Sequence, residues 1–379
     1  MREIIDKMRR MIDEPEGGAL VTITRTTGST YRREGAKMLC LKSGAMIGSI
    51  SGGCLESDAY EVSLEVVERD EPQIVFYDTS AEDENVWGLG LGCNGSVEVL
   101  IEPMAWWRTG EGRNLFDQMM RRVDQGERCV VVTLLTKDGE RLTGLRRMMV
   151  DSDGKPTGSL GLRGLDSVAA RRAQTILADE TVRPSRKLTV DFESSAYEIF
   201  IDALLPSLRL LVAGGGHDAI PMVKLAREMG LVVTLIDSRP KFSTHDRFPG
   251  ADQIICAPPE EFAQRVSLEG RPAVILMNHH YLKDRAILGQ LLASPLAMTY
   301  IGALGPRART EKMISDLREE GLKLVDEKVR AVRTPIGLDV GADSPEEIAV
   351  SVLAELLAVK NKRSGVPLRE RNKAIHQAA

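Results

Sequence analysis

"LLVAGGGHDAIPM", residues 210–222, decides how the second half of this chain is built. An apolar β-type run ends in three glycines, and a helical pattern follows at once. Gly214, Gly216 and Ala219 stand as GxGxxA, and Asp237 closes the next apolar run, 23 residues beyond Gly214. Small residues let the backbone turn and approach a pyrophosphate, a helix N-terminus favours the phosphate charge, and an acid one strand later suits ribose hydroxyls. His217 lies at the helix start, where it faces a phosphate or caps the helix. Arg239, beside the acid, has the charge to meet a 2′-phosphate.

Working outward, apolar runs at 208–213, 232–236, 253–256, 273–277 and 298–301 alternate with helical patterns at 219–228, 283–292 and 309–320. Alternation of that kind predicts a parallel, doubly wound sheet of Rossmann type. Asn278, His279 and His280 follow the fourth run, at the carboxyl edge where such sheets bind ligands; adjacent histidines point to opposite sides, so at most one faces the site. Arg307 and Arg309 follow the fifth run. A last helix is signalled by Ser344 as N-cap, Pro345 at the first helical position and Glu346 and Glu347 behind it, with Ile348, Val352, Leu356 and Val359 as its apolar stripe.

Before Pro206 the character changes to short β-type runs, and the segment repeats itself. "LVTITRTTGSTYRREGAKMLCLKSGAMIGSISGGCLE", from residue 20, is echoed about 110 residues later by "VVVTLLTKDGERLTGLRRMMVDSDGKPTGSLGLRGLD". Met38-Leu39-Cys40 falls on Met148-Met149-Val150, Gly44 on Gly154, and Gly48-Ser49-Ile50 on Gly158-Ser159-Leu160. The reading is an α/β protein: an N-terminal mixed α+β domain, 1–205, built from two copies (about 1–105 and 125–205) of a strand-strand-helix-strand unit. A Rossmann-like domain, 206–365, and a tail, 366–379, follow.

The duplication carries its own control, since folding needs persist in both copies and chemistry need persist in one. "SGGCLE", residues 51–56, aligns with "GLRGLD", residues 161–166, so Cys54 is replaced by Gly164. "NVWGLGLGCNG", residues 85–95, which holds Cys93, has no counterpart. Cys54 follows Gly52 and Gly53 and precedes a helix, so backbone N–H groups turned toward the thiol would favour a thiolate able to bind a soft metal, attack an electrophile or carry a persulfide. Cys40, Cys129 and Cys256 lie in apolar runs and read as core. The 28–37 loop, "GSTYRREGAK", offers Arg32 and Arg33 to a phosphate or carboxylate.

Composition narrows the classes. The 379 residues are 43% apolar, and 50 Lys and Arg against 55 Asp and Glu give a net charge of −5, so a nucleic-acid-coating surface is not expected. Charges interrupt the first 14 residues and no long apolar run occurs, so neither a signal peptide nor a membrane span is read. Five cysteines, an odd number without CxxC spacing, fit a reducing compartment, hence the cytoplasm.

"GSTYRREGAKML", "GSISGGCLE", "WGLGLGCNG" with "VEVLIEP", "VAGGGHDAIPM" with "LIDSRP", "YIGALGPRART" and "PIGLDVGADSPEEIAVSVLAE" resemble, in order and over nearly the whole chain, the XdhC/CoxI family of accessory proteins. The family usually has proline where Tyr31 and Glu34 stand. The resemblance implies a cytoplasmic chaperone, rather than a stand-alone enzyme, that binds molybdenum cofactor (molybdopterin). The chaperone protects the cofactor while a cysteine desulfurase supplies its terminal sulfur, then hands it to the apoenzyme of xanthine dehydrogenase or a related molybdenum hydroxylase. Cys54 matches the family's motif cysteine, as molybdenum ligand or sulfur relay, and Cys93 its second. The Arg pair suits the pterin phosphate, and a homodimer is expected from base rates. The residues leave two alternatives open: an NAD(P)-dependent oxidoreductase with a reactive cysteine, and a pure docking scaffold with a vestigial nucleotide fold.

Overall fold

A computed structural model describes residues 2–14, 16–78, 95–178 and 185–370. The chain separates into two compact units, Met1–Pro206 and Ser207–Ala379.

In the first unit α1 (Arg2–Met11) precedes β1 (Gly18–Gly28), β2 (Lys37–Leu41), β3 (Met46–Gly48), α2 (Glu56–Arg69), β4 (Gln73–Asp78) and β5 (Gly95–Pro103), which build an antiparallel sheet in the order β3-β2-β1-β5-β4. After α3 (Gly110–Asp124), the same motif returns as β6 (Cys129–Lys137), β7 (Glu140–Asp151), β8 (Pro156–Ser159), α4 (Arg163–Ala178), β9 (Arg186–Phe192) and β10 (Ser195–Leu204), in the order β8-β7-β6-β10-β9. The duplication is therefore real, and each copy is richer than the expected strand-strand-helix-strand. The added strands escape pattern reading for physical reasons: β3 is three residues long with no buried side chain, and β4 is a sheet edge that buries only Tyr77. Even the bulge is repeated, between Ile23 and Arg25 in one copy and opposite Glu198 and Ile199 in the other.

Each sheet is covered on both faces, which is why β1 and β6 read as nearly unbroken apolar runs. Val21, Ile23, Val99 and Ile101 pack on Ala59 and Val66 of α2, as Val132, Leu134, Ile199 and Ile201 pack on Ala169 and Ala173 of α4. The other faces share one core in which Leu20, Leu39 and Leu41 of the first copy meet Val131, Met149 and Leu204 of the second, with α1 and α3 closing it. Two buried ion pairs cross this seam reciprocally. Lys37 Nζ reaches Asp202 Oδ2 at 2.6 Å, and Arg147 pairs with Glu102, so the cation at the start of β2 or within β7 meets the acid of the other copy's last strand.

The second unit has six parallel strands, β11 (Arg209–Ala213), β12 (Val232–Asp237), β13 (Gln253–Cys256), β14 (Ala273–Leu276), β15 (Tyr300–Ala303) and β16 (Val332–Arg333), ordered β13-β12-β11-β14-β15-β16. That is the doubly wound Rossmann order, with its switch point between β11 and β14. α5 (Ala219–Glu228) and the last helix, Pro345–Lys360, cover one face, and α7 (Tyr281–Ala293) and α8 (Arg307–Glu319) the other, with the short α6 (Phe262–Arg265) beside them. The last helix starts as expected: Ser344 Oγ accepts the Glu347 N–H and the Glu347 carboxylate accepts the Ser344 N–H, a capping box. One expectation fails. Cys256 is exposed, because β13 is an edge strand that pairs only with β12. Among the described residues no helix is long and apolar enough to cross a membrane.

Candidate functional site

The loop between β3 and α2 carries Cys54, and its local chemistry explains its shape. Gly53 has φ +114°, a conformation that favours glycine, and a Cβ there would meet nothing within 4 Å. Ser51 Oγ accepts the backbone N–H groups of Gly53, Cys54 and Leu55 at 3.1, 3.0 and 3.1 Å and donates to Glu56. The Glu56 carboxylate in turn accepts from the N–H groups of Ile50, Ser51 and Gly53 and from Ser49 Oγ. Burial opposes its charge, yet the Ser51 and Ser49 hydrogen bonds outweigh it and hold the carboxyl below its ordinary value. One expectation fails here. Gly52, Gly53 and Cys54 are exposed together, so the thiol is presented to solvent on open backbone. The loop's N–H groups, however, point at Ser51 and Glu56 rather than at the sulfur, because a hydroxyl and a carboxylate within reach satisfy buried donors better than a thiol does.

Sequence reasoning missed Ser51 and Glu56 as the residues that set the thiol's position. The signal was present: Glu56 stands three residues after Gly53 and reaches back to its N–H, half of a capping box. The Arg loop joins this site. A Cβ on Gly52 would lie 3.8 Å from the Tyr31 ring, so the 29–36 and 49–55 loops adjoin at one end of the first sheet. Arg32 is exposed there, while Arg33 is half-buried, leans on Thr26 Oγ1 at 3.4 Å and keeps a buried Nε without a partner. Cys93 lies outside the described residues. Cys40 and Cys129 are core as expected: burial raises both thiol pKa values, Cys129 to about 12, so neither is a thiolate at neutral pH. Among the described residues no three His, Cys, Asp or Glu converge to hold a metal ion.

The Gly-rich turn of the second unit departs further from its expectation. Gly214 has φ +119°, and a Cβ on it would lie 2.6 Å from the Met277 backbone, so only glycine fits between β11 and β14. Gly216 is open, and His217 is exposed at the start of α5. Asp237, expected to await ribose hydroxyls, is buried and fully engaged. Its Oδ1 accepts Arg239 N–H and Nε at 2.8 and 2.9 Å, and its Oδ2 accepts Gly215 N–H and Arg239 Nη2 at 2.7 and 2.6 Å. Burial opposes ionisation, but those bonds hold the carboxyl below its ordinary value. The acid thus braces the glycine turn from inside. Across the switch point, His279, in a left-handed conformation with φ +53°, sets Nε2 2.8 Å from Asp218 Oδ2, while His280 stands at the N-cap position of α7 without a side-chain capping bond. Arg309 and Asn278 meet on the buried Asp284 carboxylate.

Comparison with known proteins places these features. Residues 210–356 match the model of the XdhC Rossmann domain, and residues 11–78 that of the XdhC and CoxI family. A relative from Bacillus subtilis (strain 168), described as a probable xanthine dehydrogenase subunit, is 30% identical over 352 residues, covering 93% of this chain and 96% of its own. The chain belongs to the XdhC and CoxI family. The molybdenum cofactor insertion chaperone PaoD of Escherichia coli (strain K12) is 20% identical over 347 residues, 91% of this chain and 84% of that protein. A crystal structure described as a xanthine dehydrogenase from Bacillus halodurans matches with a TM-score of 0.76 and 29% identity, over 97% of this chain and 98% of that one. The protein is thus an XdhC-family accessory protein, related to a molybdenum cofactor insertion chaperone.

Proposed function

We propose that this XdhC-family protein binds molybdenum cofactor as cargo at the Cys54 loop, supports its sulfuration and delivers it to a molybdenum hydroxylase apoenzyme of the xanthine dehydrogenase type. The observation that carries the reading is an exposed thiol on a loop held by Ser51 and Glu56, in the one copy of a duplicated fold that keeps the cysteine. The cofactor brings a soft metal, a pterin and a phosphate. Cys54 offers the sulfur, either as metal ligand or as carrier of a persulfide from a cysteine desulfurase, and Arg32 and Arg33, on the adjoining loop, offer guanidinium groups for the phosphate. The protein works in the cytoplasm, as a homodimer. Against the NAD-dependent form of the oxidoreductase alternative stands Asp237, whose two oxygens are already taken by hydrogen bonds.

Purification from a cofactor-producing host, followed by incubation with a molybdenum hydroxylase apoenzyme, tests the reading. The chain carries molybdenum and pterin, and hydroxylase activity appears as molybdenum moves to the apoenzyme. A wild-type chain that carries neither overturns the function.

A further inference from the structure

A group of cations at the end of β12 takes no part in the reading above. Ser238 and Arg239 follow Asp237 directly, and Lys283 of α7 donates to Ser238 Oγ at 2.7 Å. Arg239 lies over the Phe242 ring with its Cζ 3.7 Å from the centroid, and Arg247 approaches the same ring at 5.0 Å. Arg247 also donates Nε to the Gly215 carbonyl at 3.2 Å, in the glycine turn itself, and its Nη2 is buried without a hydrogen-bond partner. Asp237 and Arg239 neutralise each other. Among the described residues Arg247 and Lys283 have no carboxylate partner, so the crevice keeps surplus positive charge.

We propose that this crevice takes a nucleotide bearing a phosphate monoester on its adenosine ribose, as NADP does, and discriminates against the plain ribose diol of NAD. A diol is recognised by a carboxylate with open lone pairs, and Asp237 has two donors on each oxygen already. Binding a diol there would break the Arg239 fork or the Gly215 brace. A phosphate asks for the opposite, donors and positive charge, and the Ser238 hydroxyl, the Lys283 ammonium and the Arg247 guanidinium supply both. Two other acids stand nearby in the chain: Asp218 is engaged by His279, and Asp246 is exposed to solvent. The assignment is a binding specificity of the second unit and stands apart from the molybdenum reading, which rests on the first.

Calorimetry on the full chain with NADP⁺, NAD⁺, 2′,5′-ADP, 5′-AMP and inorganic phosphate tests it. NADP⁺ binds at least about tenfold more tightly than NAD⁺, and 2′,5′-ADP more tightly than 5′-AMP, the size of one or two charged hydrogen bonds. Lys283→Ala removes most of that preference by lowering NADP⁺ affinity far more than NAD⁺ affinity, in a protein whose thermal transition confirms folding. Equal or tighter binding of NAD⁺ overturns the proposal. So does a folded wild type that binds none of the nucleotides, or only inorganic phosphate. Molybdenum content is untouched by any of these outcomes.

Discussion

The two copies within the first unit share their sheet order, their bulge, their inner-face packing and the acid that ties each β-strand-to-helix loop, yet they end differently. In copy one Glu56 gathers Ile50, Ser51 and Gly53, and the loop presents Cys54 to solvent. In copy two Asp166 still holds Leu160 N–H at 2.7 Å and Ser159 Oγ at 2.7 Å. There the hydroxyl of Ser51 is replaced by Gly161 and the thiol by Gly164, whose added Cβ would lie 2.2 Å from the Phe192 ring. Phe192 fills the space over Gly164, and a two-residue turn, Glu193 and Ser194, both at positive φ, closes the hairpin tightly. What both copies keep is scaffold. What only copy one keeps is an open backbone with a sulfur on it.

The largest expected effects lie where the copies meet. Glu102→Ala strands Arg147, whose side chain is 4% exposed, and is expected to cost about 3–5 kcal/mol. Asp202→Ala, which strands the slightly more accessible Lys37, costs less. Denaturation followed by tryptophan fluorescence reads this directly, since all three tryptophans belong to the first unit. Changes below about 1 kcal/mol for both variants would mean that the reciprocal pairs do not hold the copies together.

Smaller effects sharpen the contrast between the loops. Glu56→Ala removes five hydrogen bonds and is expected to destabilise by about 2–3 kcal/mol, against about 1–2 for Asp166→Ala. Gly164→Cys puts a side chain into Phe192 and costs about 1–3 kcal/mol in overpacking, without giving copy two any molybdenum. If Asp166→Ala proved neutral and Gly164→Cys silent, the second loop would not be the scaffold inferred for it.

Acid titration gives a further test. Glu56 is held below its ordinary value of 4.5, so its contribution to stability is complete above that pH and is lost as pH falls through the lower folded-state value. Glu56→Gln therefore flattens the fall in melting temperature below about pH 4.5. An unchanged acid limb would show that the carboxylate is not the charged hub of the loop.

Much of this architecture is legible in the sequence, for reasons the structure makes plain. GxGxxA between β11 and α5, and Ser344-Pro345 before the last helix, are backbone requirements that leave few residue choices. The duplication shows because buried positions of both sheets tolerate only apolar residues. Edges are less legible: β3 and β4 bury too little to impose a pattern, and Cys256, in an apolar stretch, is exposed because its strand has no outer neighbour. Side chains that compete for backbone donors are less legible still. Nothing in the spacing of Ser51 and Cys54 says that the hydroxyl takes the N–H groups, and Asp237 with Arg239 two residues on reads as a free acid until the turn folds one onto the other.

The smallest expected stability change belongs to the residue on which the proposed function rests. Cys54→Ser alters one exposed atom and should shift stability by less than about 0.5 kcal/mol. Molybdenum and pterin per chain, measured in wild type and Cys54→Ser purified from the same cofactor-producing host, is therefore the most direct test of the thiol. Wild type is expected to carry both, and the variant, equally folded, about tenfold less or none. Equal loading of the two proteins would contradict a role for the thiol.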